Sequence, residues 1–534
     1  MTVGRCDRRT VGRITVGRPD GRTVGRIIAL GVILSVSPTV QLSGLQCPDG
    51  SPPPCRVAHS APAPTSIAVL YLDNLSHDTA DAYLVDGLTE AMIERLSRLE
   101  RLTVKAAATV RRYREGGTDP LSAGRTLGVA YLLAGGLRRA GPRLRVNVEL
   151  LRVSTGDRLW GEHYDRPTAE VQSVEADISQ GVATAVIGRL LPRERAPLAA
   201  RDTRDAQAYD HLLRGNFLFG QWHTESVLQR ALEEYERAVR LDPGFARAYA
   251  RLGLAYAEMH ERQVMRGGFV TLPPESLVAR GRAAAGRALE LDSMVSDAWL
   301  ARGRLLTGQG PDVPAQILAL YARAVLLDPR SAEAHLYYGL ALMNQRGDDG
   351  AADIEFRRAV ELEPDQFRGL RALGNNALVQ RRYAEAVIWL DSALVVQPGA
   401  AVLVDRAAAH FLLGDTAAAR QDAEAALHSD FPAGGEVILA LLELRTGDST
   451  AGRARVQRIL ARSTGVPSEA DGEAAAIGLV ALGDRDRAID LLISIQPHDA
   501  RFHRFLRYAW FDPLRPDARF QRLFEESRPP GALQ

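Results

Sequence analysis

Few side chains in this chain have the types and spacing that bond-making requires. His163 stands beside Glu162 and two residues before Asp165, the ingredients of acid–base chemistry. Adjacent residues on a strand point to opposite faces, however, so Glu162 and His163 would not converge. The eleven histidines are otherwise scattered, with no His-x-x-x-His and no His-Glu-x-x-His. The single lysine, Lys105, lies in Leu102-Thr-Val-Lys-Ala106 with no glycines before it. A phosphate-binding loop needs a Gly-rich run closed by Lys-Ser or Lys-Thr, and a protein kinase needs a strand lysine, so both chemistries are all but excluded. No catalytic residue, cofactor, metal site or small-molecule substrate is expected.

The remaining candidates suit recognition. Arg371 and Asn375 are spaced i, i+4, which places them on one helical face, where they would hold a peptide carboxylate or backbone by charge-assisted and amide hydrogen bonds. Arg247, Glu333, Asn344 and Asp405 are further candidates for the same peptide contact. A full carboxylate clamp would also need polar partners from the next helix pair, and Val402 stands at one of those positions. The alternative is a solvated helix face. Cys47 and Cys55 enclose a short Pro/Gly turn that could close as a disulfide in an oxidising compartment, or remain two unpaired thiols in a linker.

What must position these residues is legible as a repeat. Ala238 to Pro243, Ala288 to Ser293, Ala324 to Pro329, Ala359 to Pro364 and Ala393 to Pro398 are versions of one phrase, and the last three intervals are 36, 35 and 34 residues. The cleanest unit carries Leu373-Gly374, Ala386, Leu390, Ala393 and Pro398; others carry Gly253 with Tyr256, Gly303 with Tyr321, and Gly339 with Phe356. On these residues the segment 208–534 resembles a tetratricopeptide-repeat (TPR) array, with degenerate units beyond residue 401. The resemblance implies a solenoid of helix pairs whose first helices line a protein-binding groove. The first unit has about four extra residues around Trp222-His223, and the second about sixteen between Tyr256 and Gly281, which predicts a loop projecting from one rim. Trp510 to Arg515 with Phe520 resembles the closing segment of such arrays, expected to cap the last face.

Residues 66–192 mix periods. Apolar runs at Ile67 to Leu72, Leu102 to Ala106, Val129 to Leu137 and Leu159 to Tyr164 read as strands, and Leu144, Val146, Val148 and Leu150 alternate with polar residues in another. Leu84, Leu88, Met92, Leu96 and Leu99, and then Val171, Val174, Ile178, Val182, Val186 and Leu190, mark two amphipathic helices, with a short one at Pro120 to Leu127. The fold class expected is multidomain: a small α/β domain with a mixed sheet, then an all-α solenoid. Four stretches, Ile67 to Ser76, Tyr83 to Glu90, Leu127 to Gly135 and Thr155 to Asp165, resemble the TolB amino-terminal-like (FlgO-like) module. That resemblance implies a bacterial envelope interaction domain without catalytic residues of its own.

Residues 1–26 duplicate TVGR-rich 13-residue units, a basic stretch expected to be disordered. Residues 27–45 carry no charge, so a membrane anchor or a signal segment is expected there, with the preceding arginines kept on the cytoplasmic side. Residues 46–65 are a Pro-rich linker. A net charge of +1 argues against nucleic acid as a partner. The function expected is a non-catalytic cell-envelope scaffold, anchored at the inner membrane or exported to the periplasm, binding other proteins or peptides. The rival is the extracytoplasmic sensor of a signalling system that acts with a separate kinase, cyclase or transcription regulator.

Overall fold

The computed structural model describes residues 63–76, 78–114, 119–221, 224–266, 272–306, 313–428, 432–462, 469–495 and 500–528. The TVGR duplication, the segment 27–45, most of the linker, Cys47, Cys55, Trp222, His223 and Gly267-Gly268 lie outside the described residues.

Six strands, β1 (Ser66–Val69), β2 (Asp73–Asn74), β3 (Thr103–Val104), β4 (Tyr131–Ala140), β5 (Arg143–Arg152) and β6 (Arg158–Pro167), form one sheet in the order β3-β1-β4-β5-β6, with β2 also on β4. β1 runs parallel to β3 and β4, whereas β4, β5 and β6 are antiparallel, so the sheet is mixed. The sequence pattern follows the pairing. β1 is buried along its whole length, as a parallel strand covered on both faces must be, while β5 buries Leu144, Val146, Val148 and Leu150 and turns Arg143, Arg145 and Asn147 to solvent. The β4–β5 turn is two residues long, and Gly141 takes φ +61° there, which a side chain would resist. The expected strand at Leu102 to Ala106 shortens to β3 because Ala107 begins a helix.

The module's helices are α1 (Ala82–Ser97), α2 (Ala107–Arg111), α3 (Pro120–Leu127), α4 (Val171–Ile187) and α5 (Pro192–Ala199). Leu84, Leu88, Met92 and Leu96 of α1 and Val174, Ile178 and Val182 of α4 share a core with the sheet. That core does not stop at the module. It continues through Tyr209, Leu212, Tyr235, Phe245 and Tyr256, so the sheet and the first two helix pairs bury one apolar body.

Among the described residues eight helix pairs follow: α6 (Ala206–Gly220) with α7 (Glu225–Leu241), α8 (Ala246–Arg266) with α9 (Pro274–Leu291), α10 (Ser296–Arg304) with α11 (Val313–Leu327), α12 (Ala332–Arg346) with α13 (Asp349–Leu362), α14 (Phe367–Val379) with α15 (Tyr383–Val396), α16 (Ala400–Leu413) with α17 (Thr416–Leu427), α18 (Pro432–Arg445) with α19 (Ser449–Arg462), and α20 (Glu469–Ala481) with α21 (Arg485–Ser494). The recurring alanines, Ala238, Ala288, Ala324, Ala359 and Ala393, are all fully buried. The recurring glycines have a steric cause. A Cβ on Gly215, Gly303 or Gly339 would fall 2.5, 2.4 or 2.6 Å from the ring of Tyr235, Tyr321 or Phe356, so each glycine admits the aromatic of its partner helix. Part of the insertion after Tyr256 is helix, since α8 runs to Arg266 and α9 begins at Pro274; the loop expected around Gly267-Gly268 falls outside the described residues. The chain closes with α22 (Ala500–Phe505), a 3-10 turn (Ala509–Leu514) and α23 (Ala518–Glu526), where Phe511, Leu514, Phe520 and Leu523 pack with Ile489 and Leu492 of the last pair.

Candidate functional site: the first-helix face of the array

In a helical solenoid the first helices line the inner surface, which is the usual place to bind a ligand. Here that surface is largely occupied by the chain's own polar groups. Arg304, the last residue of α10, has no side-chain exposure and donates to three carboxylates: to Glu258 of α8 at 2.6 Å, Glu261 of α8 at 2.8 Å and Glu333 of α12 at 2.8 Å. Its guanidinium carbon stands 4.6 Å from the Tyr337 ring centroid, a cation–π contact. Arg368 of α14 donates to Glu258 at 2.8 Å and to the Tyr337 hydroxyl at 2.8 Å, and that hydroxyl donates to Glu261 at 2.9 Å. Helices 110 residues apart in sequence therefore meet through one closed network.

The electrostatics follow from burial and pairing. Burial pushes the Glu258 carboxyl up, but Arg304 and Arg368 outweigh it and hold it at about 2. Glu333 ends above the usual carboxylate range, because its burial exceeds what Arg304 returns. Arg304 meets the three carboxylates with three different nitrogens, Nη2, Nε and Nη1, spread around a planar fork, a geometry that the single ammonium nitrogen of a lysine does not reproduce.

Further along, the first-helix face is covered by the C-terminal segment. Tyr508 packs against the core cluster that includes Leu370, Ala377 and Val402, Trp510 lies against Phe411 with ring centroids 5.5 Å apart, and Arg507 stands 2.6 Å from the Asp349 carboxylate. Arg381 donates to Asp512 at 2.7 Å. The seam with the α/β module is likewise polar at its edges: Tyr83 donates to Asp210 at 2.6 Å, and Thr109 donates to the Leu362 carbonyl at 2.8 Å.

The six residues singled out from the sequence fall into different settings. Arg371 donates to Asp405 at 3.0 Å, one repeat away, so these two meet each other. Glu333 belongs to the Arg304 network. Arg247 sits at the module seam, where it bonds Asp202 at 2.8 Å and also takes Glu94 of α1. Asn375 is half-buried with its Oδ1 unpartnered, and Asn344 is half-buried on α12. Glu162 and His163 are both exposed on β6. Sequence reasoning missed Glu258, Arg304, Tyr337 and Arg368. The available signal was charge inside otherwise Ala- and Leu-rich first helices; the partners, set by the coiling of the array, had no signal at all.

Residues 228–259 match the TPR repeat family. The chain is 34% identical over 203 residues to a protein named putative adenylate cyclase 3 of Rhizobium meliloti (strain 1021), a match covering 38% of this chain and 34% of that protein. The chain thus spans about a third of the length of the curated relative it matches. Among solved structures it is similar to a thermophilic TPR protein of Thermus thermophilus (20% identity, 38% of this chain and 99% of that one, TM-score 0.30) and to pilF of Pseudomonas aeruginosa (20%, 42% and 97%, 0.34). It is also similar to yeast Tom70 (15%, 60% and 65%, 0.32). The helical part of the chain is a TPR-like solenoid of helix pairs, within which residues 228–259 match the TPR repeat family.

Proposed function

We propose that this chain is a non-catalytic scaffold of the bacterial cell envelope that binds protein partners on the outer face of its array. One observation carries the reading. While the first-helix face is largely filled from within, the second helices expose Leu326 (68%), Ile354 (69%), Ile388 (49%) and Val395 (86%), with Ile354 and Ile388 one 34-residue repeat apart in sequence. Isolated exposed apolar residues need no explanation, but four of them on three successive second helices, two at the same repeat position, are the kind of surface that partners cover. The likeness of Ile67 to Ser76 and its companion stretches to the TolB amino-terminal-like module supports the envelope assignment, as does the uncharged segment 27–45 after its arginines. Among the described residues no helix is long and apolar enough to cross a membrane.

The binding claim is tested by placing a photo-crosslinking residue at position 354 in the native host, with the exposed position 162 of β6, outside the array, as the reference. Discrete protein adducts at 354 that vanish with Ile388→Glu support the reading. Identical adducts from both positions sink it. A periplasm-active reporter fused after residue 65 tests the compartment, and activity confined to the cytoplasm rejects it.

A second reading is favoured by the match to the protein named putative adenylate cyclase 3: a sensor part of a signalling system, working with a separate cyclase, kinase or transcription regulator. Deleting the gene and measuring cyclic nucleotide in the host separates the two, since a pure scaffold leaves that level unchanged.

A further inference from the structure

Between the α/β module and the array lies a cavity of about 390 Å³, walled by α1, α2, α6, α8 and the residues flanking α12 and α13. Its volume falls in the range of small-molecule sites, but its wall is not the mostly apolar one such sites usually have. Four arginines (Arg111, Arg247, Arg251, Arg330) and four glutamates (Glu90, Glu94, Glu333, Glu363) border it. Most of these charges answer one another. Arg247 takes Glu94 and Asp202, Arg111 stands 3.4 Å from Glu90, and Glu333 serves Arg304 outside the cavity.

Three groups remain incompletely answered. Arg251 makes no hydrogen bond through its buried Nε, whose one ion-pair contact is the long 3.5 Å approach to Asp297 Oδ2. Arg330 donates through Nη2 to the Leu102 carbonyl at 3.0 Å, while its Nη1 is buried and unpartnered. Glu363 has one oxygen at 3.3 Å from the Gln366 amide, leaving further acceptor capacity. A buried unmet N–H costs about 1–3 kcal/mol, so two of them beside one hollow are a reason to look for what fills it.

We infer that this cavity binds a compact zwitterion, an amino acid or a dipeptide, with its carboxylate on Arg251 and Arg330 and its ammonium towards Glu363. The incompletely answered groups select that class: two guanidinium groups offer a place for one carboxylate and Glu363 one for an ammonium, whereas phosphate or a dicarboxylate would set further negative charge beside Glu363. The volume admits a free amino acid with water or a dipeptide without it. Because the walls come from both the module and the array, an occupant would tie the two together and stabilise the folded form by mass action. The inference does not depend on the outer-face reading, since it concerns direct binding by the pure chain.

The test is calorimetry and thermal shift on the full chain with L-alanine, L-glutamine and alanyl-alanine as probes. N-acetyl-alanine, alanine amide and inorganic phosphate serve as counterparts lacking one or both features. Binding of at least one zwitterion is expected, weakened about tenfold or more by N-acetylation, by amidation, by Arg251→Gln and by Arg330→Gln. Tighter binding of alanine or of alanyl-alanine identifies the free acid or the peptide as the source. Ala107→Leu fills the cavity without touching a charge, and it should also abolish binding while leaving the unliganded melting temperature close to wild type. Phosphate or N-acetyl-alanine binding as tightly as the zwitterions, or no binding of any probe at millimolar concentration, overturns the inference.

Discussion

Arg304 and Glu258, 46 residues apart in sequence, meet at 2.6 Å with 0% and 5% of their side chains exposed. A buried pair of this kind is weak evidence for net stabilisation over an apolar pair, yet removing one partner is costly because the other charge stays buried.

Arg304→Ala should therefore destabilise the fold by about 3–5 kcal/mol, since Glu258 and Glu261 lose their principal donor. Arg304→Lys should recover only part of that loss, because one ammonium cannot reach three carboxylates in the geometry of the fork. Urea unfolding followed by circular dichroism gives both values. A loss below about 1 kcal/mol in the alanine variant would show that the network opens to water.

Two groups give the protein an acid limb with a calculable sign. His503 is held at about 4 by burial, despite the bond its Nδ1 makes to the Phe524 carbonyl at 2.9 Å. Its folded value lies below the unfolded one near 6.5, so its contribution is complete above pH 6.5 and declines as the pH falls towards 4, at up to about 1.4 kcal/mol per unit. Glu258 follows lower down: complete above about 4.5, it is lost as the pH falls through about 2. Asp86 and Glu175, which burial raises to about 7 and about 8, gain stability over the same fall in pH, so the cap is read by difference: the stability of wild type relative to His503→Asn should decline between pH 6.5 and 4. A difference that stays constant over that range removes His503 from the account.

The glycines offer a paired test of close packing. Gly303→Ala would set a Cβ 2.4 Å from Tyr321 Cε1 and should cost about 1–3 kcal/mol, as overpacking does. Gly286→Ala, on α9 with open space around it, should gain about 0.5–1 kcal/mol because it only removes freedom from the unfolded chain. Melting temperatures moving in opposite directions confirm the distinction.

The same contrast separates what the amino-acid sequence encodes locally from what only the folded array decides. Gly303 and Tyr321 belong to one repeat, and their spacing is written in the period, so the solenoid was legible residue by residue. The mixed sheet was legible for a similar reason, since β5 alternates Leu144, Val146, Val148 and Leu150 with polar residues and local period decides its two faces. Arg304 and Arg368 had no such local cue. Their partners are chosen by how the array coils, which brings Glu258 to Arg368 across 110 residues, and no period encodes that. Arg371 and Asn375 illustrate the other gap: their i, i+4 spacing placed them on one helix, but that Arg371 would meet Asp405 depends on the next helix pair.

The C-terminal segment allows a last prediction, because it lies where a peptide would otherwise contact the first helices. Tyr508 packs against the core cluster that includes Leu370 and Val402, and Trp510 leans on Phe411, whose ring also carries the Arg445 guanidinium 3.5 Å from its centroid. Replacing both by alanine removes two aromatic anchors that are only partly buried, so the loss should be about 2–4 kcal/mol, below the figure for fully buried rings. The loss should also be local. Hydrogen exchange should accelerate in α14 and α16, which the segment covers, and stay unchanged in α1 and α4, whose core lies with the sheet. Faster exchange throughout would mean instead that the segment closes the whole array, and that its release unfolds the solenoid before any partner could use the uncovered face.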